Sequence, residues 1–181
     1  MKGRSWQRAS THSGTHWSEE SVFAIRHLPF APVIPAIRHK LLSTPFAPME
    51  IRIYYEDTDC GGVVYYANYL KYFERARTHY LEERGLSVAE LRDGGTQFMV
   101  VHAELDYRSP ARYGDTLTID TNLAAVGRAS LTFAHVLKER RSGRVVVEGS
   151  AKLVTVDEQL KIKRLDKPTL AALQGPPDTR S

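Results

Sequence analysis

The sequence predicts an α+β fold in which one antiparallel sheet wraps around a single long central helix. Two patterns support this prediction: one segment has the spacing of a long amphipathic helix, and four strand-like segments separated by turn residues follow it. The chain has 181 residues, 42% of them hydrophobic and 25% charged, which suits one globular domain. We place this domain at residues 49–173 and expect residues 174–181 to form a disordered tail.

Residues 1–48 are not expected to belong to the domain. Their repeated prolines would break any helix longer than about two turns. We interpret this stretch as a disordered extension, or as an upstream segment translated from a misassigned start, because Met49 directly precedes the first strand-like segment. An organellar transit peptide is a third interpretation, which Glu19 and Glu20 weaken.

The domain is predicted to begin with a strand, a turn and the long helix. Residues 49–55 alternate charged and apolar side chains, as strands do, and residues 57–62 form a turn rich in aspartate and glycine. Residues 65–84 then show helical spacing of apolar side chains. We expect Asn68 to cap the start of this helix and Gly85 to take the left-handed conformation after its end.

The long helix is predicted to bury one face against the sheet and to expose the other. Its apolar face contains Tyr65, Tyr69, Tyr72, Phe73, Ala76 and Tyr80. Its polar face contains Lys71, Glu74, Arg75, Arg77, Thr78 and Glu82. This division is expected to place the tyrosines in the core.

The rest of the domain is predicted to be mainly strands. After a further helical turn at residues 87–92, turn residues separate four strands in hairpin succession, at 97–108, 115–126, 129–140 and 144–157. A last helical turn is expected at 169–173. Because a five-stranded open sheet leaves unpaired edges, we expect a homodimer or homotetramer whose sheets join edge to edge about a two-fold axis.

Charge and composition exclude several classes of protein. Six of the 25 basic residues and two of the 21 acidic residues lie in residues 1–48, so residues 49–181 carry 19 of each. A neutral domain argues against a nucleic-acid partner. No apolar run reaches the ~20 residues that a membrane span needs, so membrane insertion is not expected. The single cysteine and the lack of metal-ligand spacing predict a cytoplasmic protein without a structural metal.

The most informative segment combines acids, glycines and the start of the helix. Glu56, Asp57 and Asp59 precede Gly61 and Gly62, and the helix follows. Amides at a helix N-terminus have no intrahelical acceptor and can hold a developing oxyanion. A carboxylate beside such an amide is a minimal set of groups for acyl transfer.

Other interpretations of this segment remain. An acidic turn can simply be solvated. A calcium loop would start at Asp57, but it would need oxygen ligands where Gly61 and Asn68 stand. Cys60 could act as a nucleophile, although the neighbouring carboxylates disfavour its thiolate.

The motif resembles a known family. Residues 57–65 (DTDCGGVVY), followed by NYL at 68–70 and FERAR at 73–77, resemble the 4-hydroxybenzoyl-CoA thioesterase family. The resemblance is closest to the acyl-CoA thioesterase branch associated with the bacterial Tol-Pal system, and it covers about residues 50–165. It implies the hotdog fold, in agreement with the predicted order of elements.

The resemblance also implies roles for particular residues. The catalytic aspartate of the family corresponds to Asp59, which would act as a nucleophile forming a mixed anhydride or as a base activating water. The amide that polarises the thioester carbonyl corresponds to the backbone of Tyr66, and Gly62 and Val63 belong to the turn that contacts the substrate. The Tol-Pal branch usually has histidine where this chain has Tyr66, but an amide role uses no side chain.

Substrate and partners follow from the same resemblance. Arg128, with Ser130 as a second candidate, lies in the hairpin where family members often contact the nucleotide portion of coenzyme A. The implied enzyme hydrolyses an acyl-CoA thioester to free acid and CoA. It needs neither metal nor cofactor, since CoA is part of the substrate, and an acyl carrier protein is a further candidate partner. The alternative is a non-hydrolytic module of an envelope complex that binds acyl-CoA or acyl carriers; a hotdog hydratase is a weaker option.

Overall fold

A computed structural model describes residues 48–176. The predictions made for residues 1–47 and 177–181 therefore lie outside the described residues. No helix within the described part of the chain is long and apolar enough to cross a membrane.

One antiparallel sheet and three helices make up the described structure. The strands are β1 (Met49–Arg52), β2 (Gln97–Tyr107), β3 (Thr116–Val126), β4 (Ser130–Glu139) and β5 (Val145–Val156). The helices are α1 (Asn68–Glu82), α2 (Val88–Asp93) and α3 (Lys167–Gln174), and a 3₁₀ turn spans Tyr55–Asp57. The order of strands in the sheet is β1-β3-β4-β5-β2. The predicted α+β class is confirmed.

The prediction of four strands in hairpin succession is correct only for β3, β4 and β5. Strand β2 pairs with β5 at one edge of the sheet. Strand β3 lies between β1 and β4, so that β4 and β5 separate it from β2. The connection between β2 and β3 is therefore not a hairpin. It contacts the segment before α1, where the Val64 amide donates to the Ala111 carbonyl at 2.8 Å.

Helix α1 begins at Asn68, three residues later than predicted. The amide of Tyr65 is held by the Asp57 carbonyl at 2.8 Å, which keeps this part of the chain outside the helix. Asn68 is the first residue of the helix rather than its cap. The helix ends at Glu82, two residues earlier than predicted. Gly85 takes the predicted left-handed conformation, with φ +69°, and the Leu86 amide donates to the Leu81 carbonyl, the pattern of a glycine C-terminal motif.

The buried face of α1 packs on the sheet and contains Tyr69, Tyr72, Phe73 and Ala76, as predicted. Two expectations about the faces were wrong. Tyr65 lies before the helix and is 43% exposed, while Arg77 is buried. Phe73 stacks on His135 of β4 with ring centroids 4.3 Å apart. Gly149 of β5 permits this approach, since a Cβ there would come within 2.7 Å of the Phe73 ring.

Candidate active site

The predicted catalytic segment forms a tight turn between the first 3₁₀ turn and α1. Thr58 and Val64 pair as an isolated antiparallel bridge. Inside it, the Asp59 amide donates to the Val63 carbonyl and the Gly62 amide donates to the Asp59 carbonyl, both at 3.0 Å. Gly62 has φ +69°, a conformation that other residues rarely adopt. The turn therefore folds Asp59 back toward the start of the helix.

The Asp59 carboxylate is oriented but not fully engaged. Its Oδ1 accepts a hydrogen bond from the Gly61 amide at 2.7 Å. Its Oδ2 has no hydrogen-bond partner among residues 48–176, and the residue is exposed. This carboxylate has one oxygen held by the Gly61 amide and one oxygen without a protein partner among the described residues.

Asp57 has a different environment, although it lies only two residues earlier. Its Oδ1 accepts from the Tyr72 hydroxyl at 2.8 Å, and its Oδ2 accepts from the Tyr54 amide at 2.8 Å. Its main-chain carbonyl accepts from the Tyr65 amide at 2.8 Å and from Asn68 Nδ2 at 2.9 Å. A carboxylate whose two oxygens both hold protein donors is a structural group.

The Tyr66 backbone lies two residues before the first residue of α1. Its amide has no acceptor within the described part of the chain, whereas its carbonyl accepts from the Tyr107 hydroxyl at 3.2 Å. Amides at this end of a helix point outward and carry partial positive charge. The Tyr66 amide is therefore available to an anionic or polarised oxygen.

Tyrosine side chains surround this amide. The Tyr66 side chain is 60% exposed, and its ring centroid lies 4.6 Å from that of Tyr65. The pKa of the Tyr65 hydroxyl is raised chiefly by its hydrogen bond to Tyr66, with a smaller contribution from the nearby Asp59 carboxylate. Tyr69 and Tyr107 add an edge-to-face pair at 5.8 Å. Tyr65 thus lies near the candidate carboxylate and beside the residue that carries the free amide.

Arg128 and Ser130 lie far from these groups within one chain. They belong to the tight hairpin after β3, where the Gly127 amide donates to the Ser130 carbonyl at 2.7 Å. The candidate turn lies near the other end of β3, beside residues 111–115. An eleven-residue strand at about 3.3 Å per residue spans roughly 35 Å, so a single chain does not bring the two groups together.

Sequence reasoning missed two residues beside the turn. Tyr107 comes from β2, and Arg112 from the β2–β3 connection; the Arg112 guanidinium lies about 4.0 Å from the position of a Cβ on Gly62. Neither had a sequence signal, because both lie more than 40 residues after the turn at 57–65. Within residues 48–176, no group of three His, Cys, Asp or Glu side chains is placed to hold a metal ion.

The model of the thioesterase-like superfamily matches residues 54–173, which include the turn, α1 and the whole sheet except β1. The chain belongs to this superfamily. The resemblance found in the motif and the hotdog fold are thereby confirmed, and the protein is a thioesterase. The match does not show which residue acts on the thioester.

Individual relatives agree with this membership. The chain is 34% identical over 131 residues to the acyl-CoA thioester hydrolase YbgC of Escherichia coli O6:H1, covering 72% of this chain and 97% of that protein. The DHNA-CoA thioesterase from Staphylococcus aureus superposes with a TM-score of 0.65 at 26% identity, over 69% of this chain and 85% of that one. A 4-hydroxybenzoyl CoA thioesterase shares the fold, with a TM-score of 0.65 and 22% identity. The match covers 70% of this chain and 97% of that one.

Proposed function

We propose that this thioesterase hydrolyses an acyl-CoA thioester to free acid and CoA, using the Asp59 carboxylate and the Tyr66 amide. One observation carries the proposal: a carboxylate with a free oxygen and an amide without a protein acceptor belong to the same short segment at the head of α1. The activity named for the E. coli relative supports the substrate class.

The proposed reaction needs only these groups, water and the substrate. The thioester carbonyl accepts a hydrogen bond from the Tyr66 amide, which stabilises the negative charge that develops on its oxygen. Asp59 Oδ2 either attacks the carbonyl carbon, giving a mixed anhydride that water then hydrolyses, or removes a proton from an attacking water. In both routes the carbon–sulfur bond breaks and CoA leaves as a thiolate, which is then protonated.

The tyrosine at position 66 is compatible with this chemistry. The oxyanion donor is the main-chain amide, and the side chain points to a largely exposed position beside Tyr65. We propose that both rings line the entrance of the acyl group, with Gly62 and Val63 forming the floor of the turn. The reaction requires no metal and no separate cofactor.

We propose that the active form is a dimer joined through β2. This strand pairs with β5 on one side and has no strand partner on its other side among the described residues. Met99, Val100 and Val101 along it are 42%, 52% and 55% exposed, an apolar edge that a second copy would cover. A homotetramer would add a second interface to this one.

A two-fold axis across β2 would also bring the β3–β4 hairpin, which contains Arg128, toward the candidate turn of the other subunit. Antiparallel pairing places the Gln97 end of one β2 beside the Tyr107 end of the other. The Gln97 end of the sheet is the end that contains the β3–β4 hairpin, since Gln97 pairs with Val156 and Val154 with Ser130. Arg128 and Ser130 of the partner subunit are therefore proposed to meet the nucleotide portion of CoA whose thioester lies at Asp59.

The test is hydrolysis of short, long and aromatic acyl-CoAs by the protein and by its Asp59→Asn variant, followed as thiol release. We expect the variant to lose on the order of 10³-fold or more in rate, because the carboxylate acts in the bond-breaking step. The matched control is Glu56→Gln, which removes an exposed carboxylate three residues away and should retain activity.

Near-wild-type turnover by Asp59→Asn would sink the assignment of that residue. Binding of acyl-CoA by the unchanged protein without thiol release from any substrate would instead support the non-hydrolytic module. An acyl carrier protein loaded with the same acyl groups tests the second class of partner in the same assay.

A further inference from the structure

Asp57 connects three parts of the chain around the candidate turn. Its four hydrogen bonds come from Tyr54 before the 3₁₀ turn, from Tyr65 and Asn68 at the head of α1, and from Tyr72 one turn into the helix. We call this set of contacts the Asp57 clamp. The sequence motif contains Asp57, but the proposed reaction assigns it no role.

The clamp is adjacent along the chain to both proposed reacting groups. Asp59 follows Asp57 by two residues, and the Tyr66 amide follows the clamped Tyr65 peptide by one. The bond from the Tyr65 amide to the Asp57 carbonyl therefore joins the two strands of the chain that carry the carboxylate and the oxyanion donor. Residues 59–62 are exposed and include two glycines, and their hydrogen bonds lie within the turn itself, so these bonds do not join the turn to the packed core.

Tyr72 anchors the clamp to the core. Its side chain is 1% exposed, and its hydroxyl is directed to Asp57 Oδ1 at 2.8 Å. Burial and the adjacent Asp57 carboxylate raise the pKa of this hydroxyl, so it remains a donor. Hydrogen bonds to a carboxylate are stronger than those between neutral groups.

We propose, on the basis of the function proposed above, that Tyr72 and Asp57 are positioning residues that set the distance between the Asp59 carboxylate and the Tyr66 amide. Neither side chain touches the substrate. Thioester hydrolysis needs its groups placed to within a fraction of an ångström, and a misplacement of about 1 Å can cost about 10²-fold in rate. The clamp fixes the exposed turn to the packed core and so holds the two groups in place.

The decisive variant is Tyr72→Phe, which keeps the buried ring and removes only the hydroxyl. We expect kcat for acyl-CoA hydrolysis to fall about tenfold to a hundredfold while KM stays within about twofold. The matched control is Tyr80→Phe, also in α1, which loses a buried hydroxyl bond to the Leu173 carbonyl at 3.3 Å but lies about 12 Å further along the helix. It should lose comparable thermal stability and keep kcat.

A second readout does not depend on catalysis. The Tyr65 amide should exchange slowly with solvent in the unchanged protein and at least tenfold faster in Tyr72→Phe and Asp57→Asn, since both variants weaken the clamp. Tyr80→Phe should leave this exchange unchanged.

Unchanged kcat in Tyr72→Phe overturns the proposal, whatever the exchange shows. A drop in kcat no larger than that of Tyr80→Phe overturns it as well. Should Asp59→Asn remain active, the proposed function fails, and unchanged Tyr65 exchange would still refute the clamp.

Discussion

Asp57 and Asp59 show how two identical side chains two residues apart take different roles. Asp57 lies where a buried hydroxyl and a main-chain amide reach both of its oxygens, so its charge is used in holding the fold. Asp59 lies on the exposed side of the turn, where a single amide orients it. A charged oxygen without a protein partner is available to water or substrate, and this difference supports the proposal that Asp59, and not Asp57, is the reactive acid.

Gly61 gives a test at the scale of one residue. A Cβ at this position would lie 3.0 Å from Asp59 Oδ1, so Gly61→Ala should push the carboxylate aside by a few tenths of an ångström. We expect kcat to fall roughly tenfold, since catalysis depends steeply on the placement of reacting groups. Steady-state hydrolysis measures this effect.

Cys60→Ala provides its control, because it changes the adjacent exposed residue of the same turn without adding atoms near the carboxylate. Wild-type kcat in Cys60→Ala would also remove the cysteine nucleophile from consideration. Equal rates for Gly61→Ala and the unchanged protein would show that the carboxylate does not need its observed orientation.

At the scale of elements, the contact between α1 and the sheet decides the environment of one histidine. His135 is 1% exposed beneath Phe73, its Nδ1 lies 3.0 Å from Thr121 Oγ1, and its Nε2 has no partner in the described residues. Burial, with a further contribution from the positive charge of Arg77, lowers its pKa to about 3. The helix therefore packs on a neutral imidazole.

This environment predicts a pH-dependent stability. The unfolded chain protonates this histidine near pH 6.5 while the folded protein resists protonation until about pH 3, so stability falls as the pH drops through that window and is unaffected above it. The slope should approach roughly 1 kcal/mol per pH unit below pH 6. Urea unfolding at pH 7 and pH 5 measures it.

His135→Phe should reduce the loss between these pH values, whatever its baseline stability, because the titrating group is gone. His102→Gln, at an exposed position of β2, should leave the loss unchanged. The same pH dependence in the unchanged protein and in His135→Phe would contradict the burial of a neutral imidazole.

At the scale of the whole molecule, the sheet ends in two different edges. The β1 edge is short, at four residues, whereas β2 is eleven residues long and displays apolar side chains. Long apolar edges are uncommon in monomers, because they pair with other chains. The proposed dimer covers this edge and also gives the basic hairpin at Arg128 access to a substrate bound more than a strand length away.

Val101→Lys tests this arrangement by placing a charge on the β2 edge. We expect the protein to become monomeric in sedimentation velocity and to lose most of its acyl-CoA hydrolysis, since each site would lack Arg128 of the partner subunit. Arg52→Glu alters charge on the opposite edge strand and should preserve both the dimer and the activity. A Val101→Lys variant that is monomeric yet fully active would refute a shared site.

The sequence by itself determined the family, the α+β class, the left-handed glycine at residue 85 after α1 and the segment that contains Asp59, because these depend on local spacing and on an ordered motif. The tertiary structure alone decided that α1 starts at Asn68, that β2 lies beside β5, and that Asp57 is occupied while Asp59 keeps a free oxygen. The physical reason is that each of these outcomes depends on a partner distant along the chain, such as Tyr72 or Ala111. Local pattern carries no information about which partner a polar group will meet.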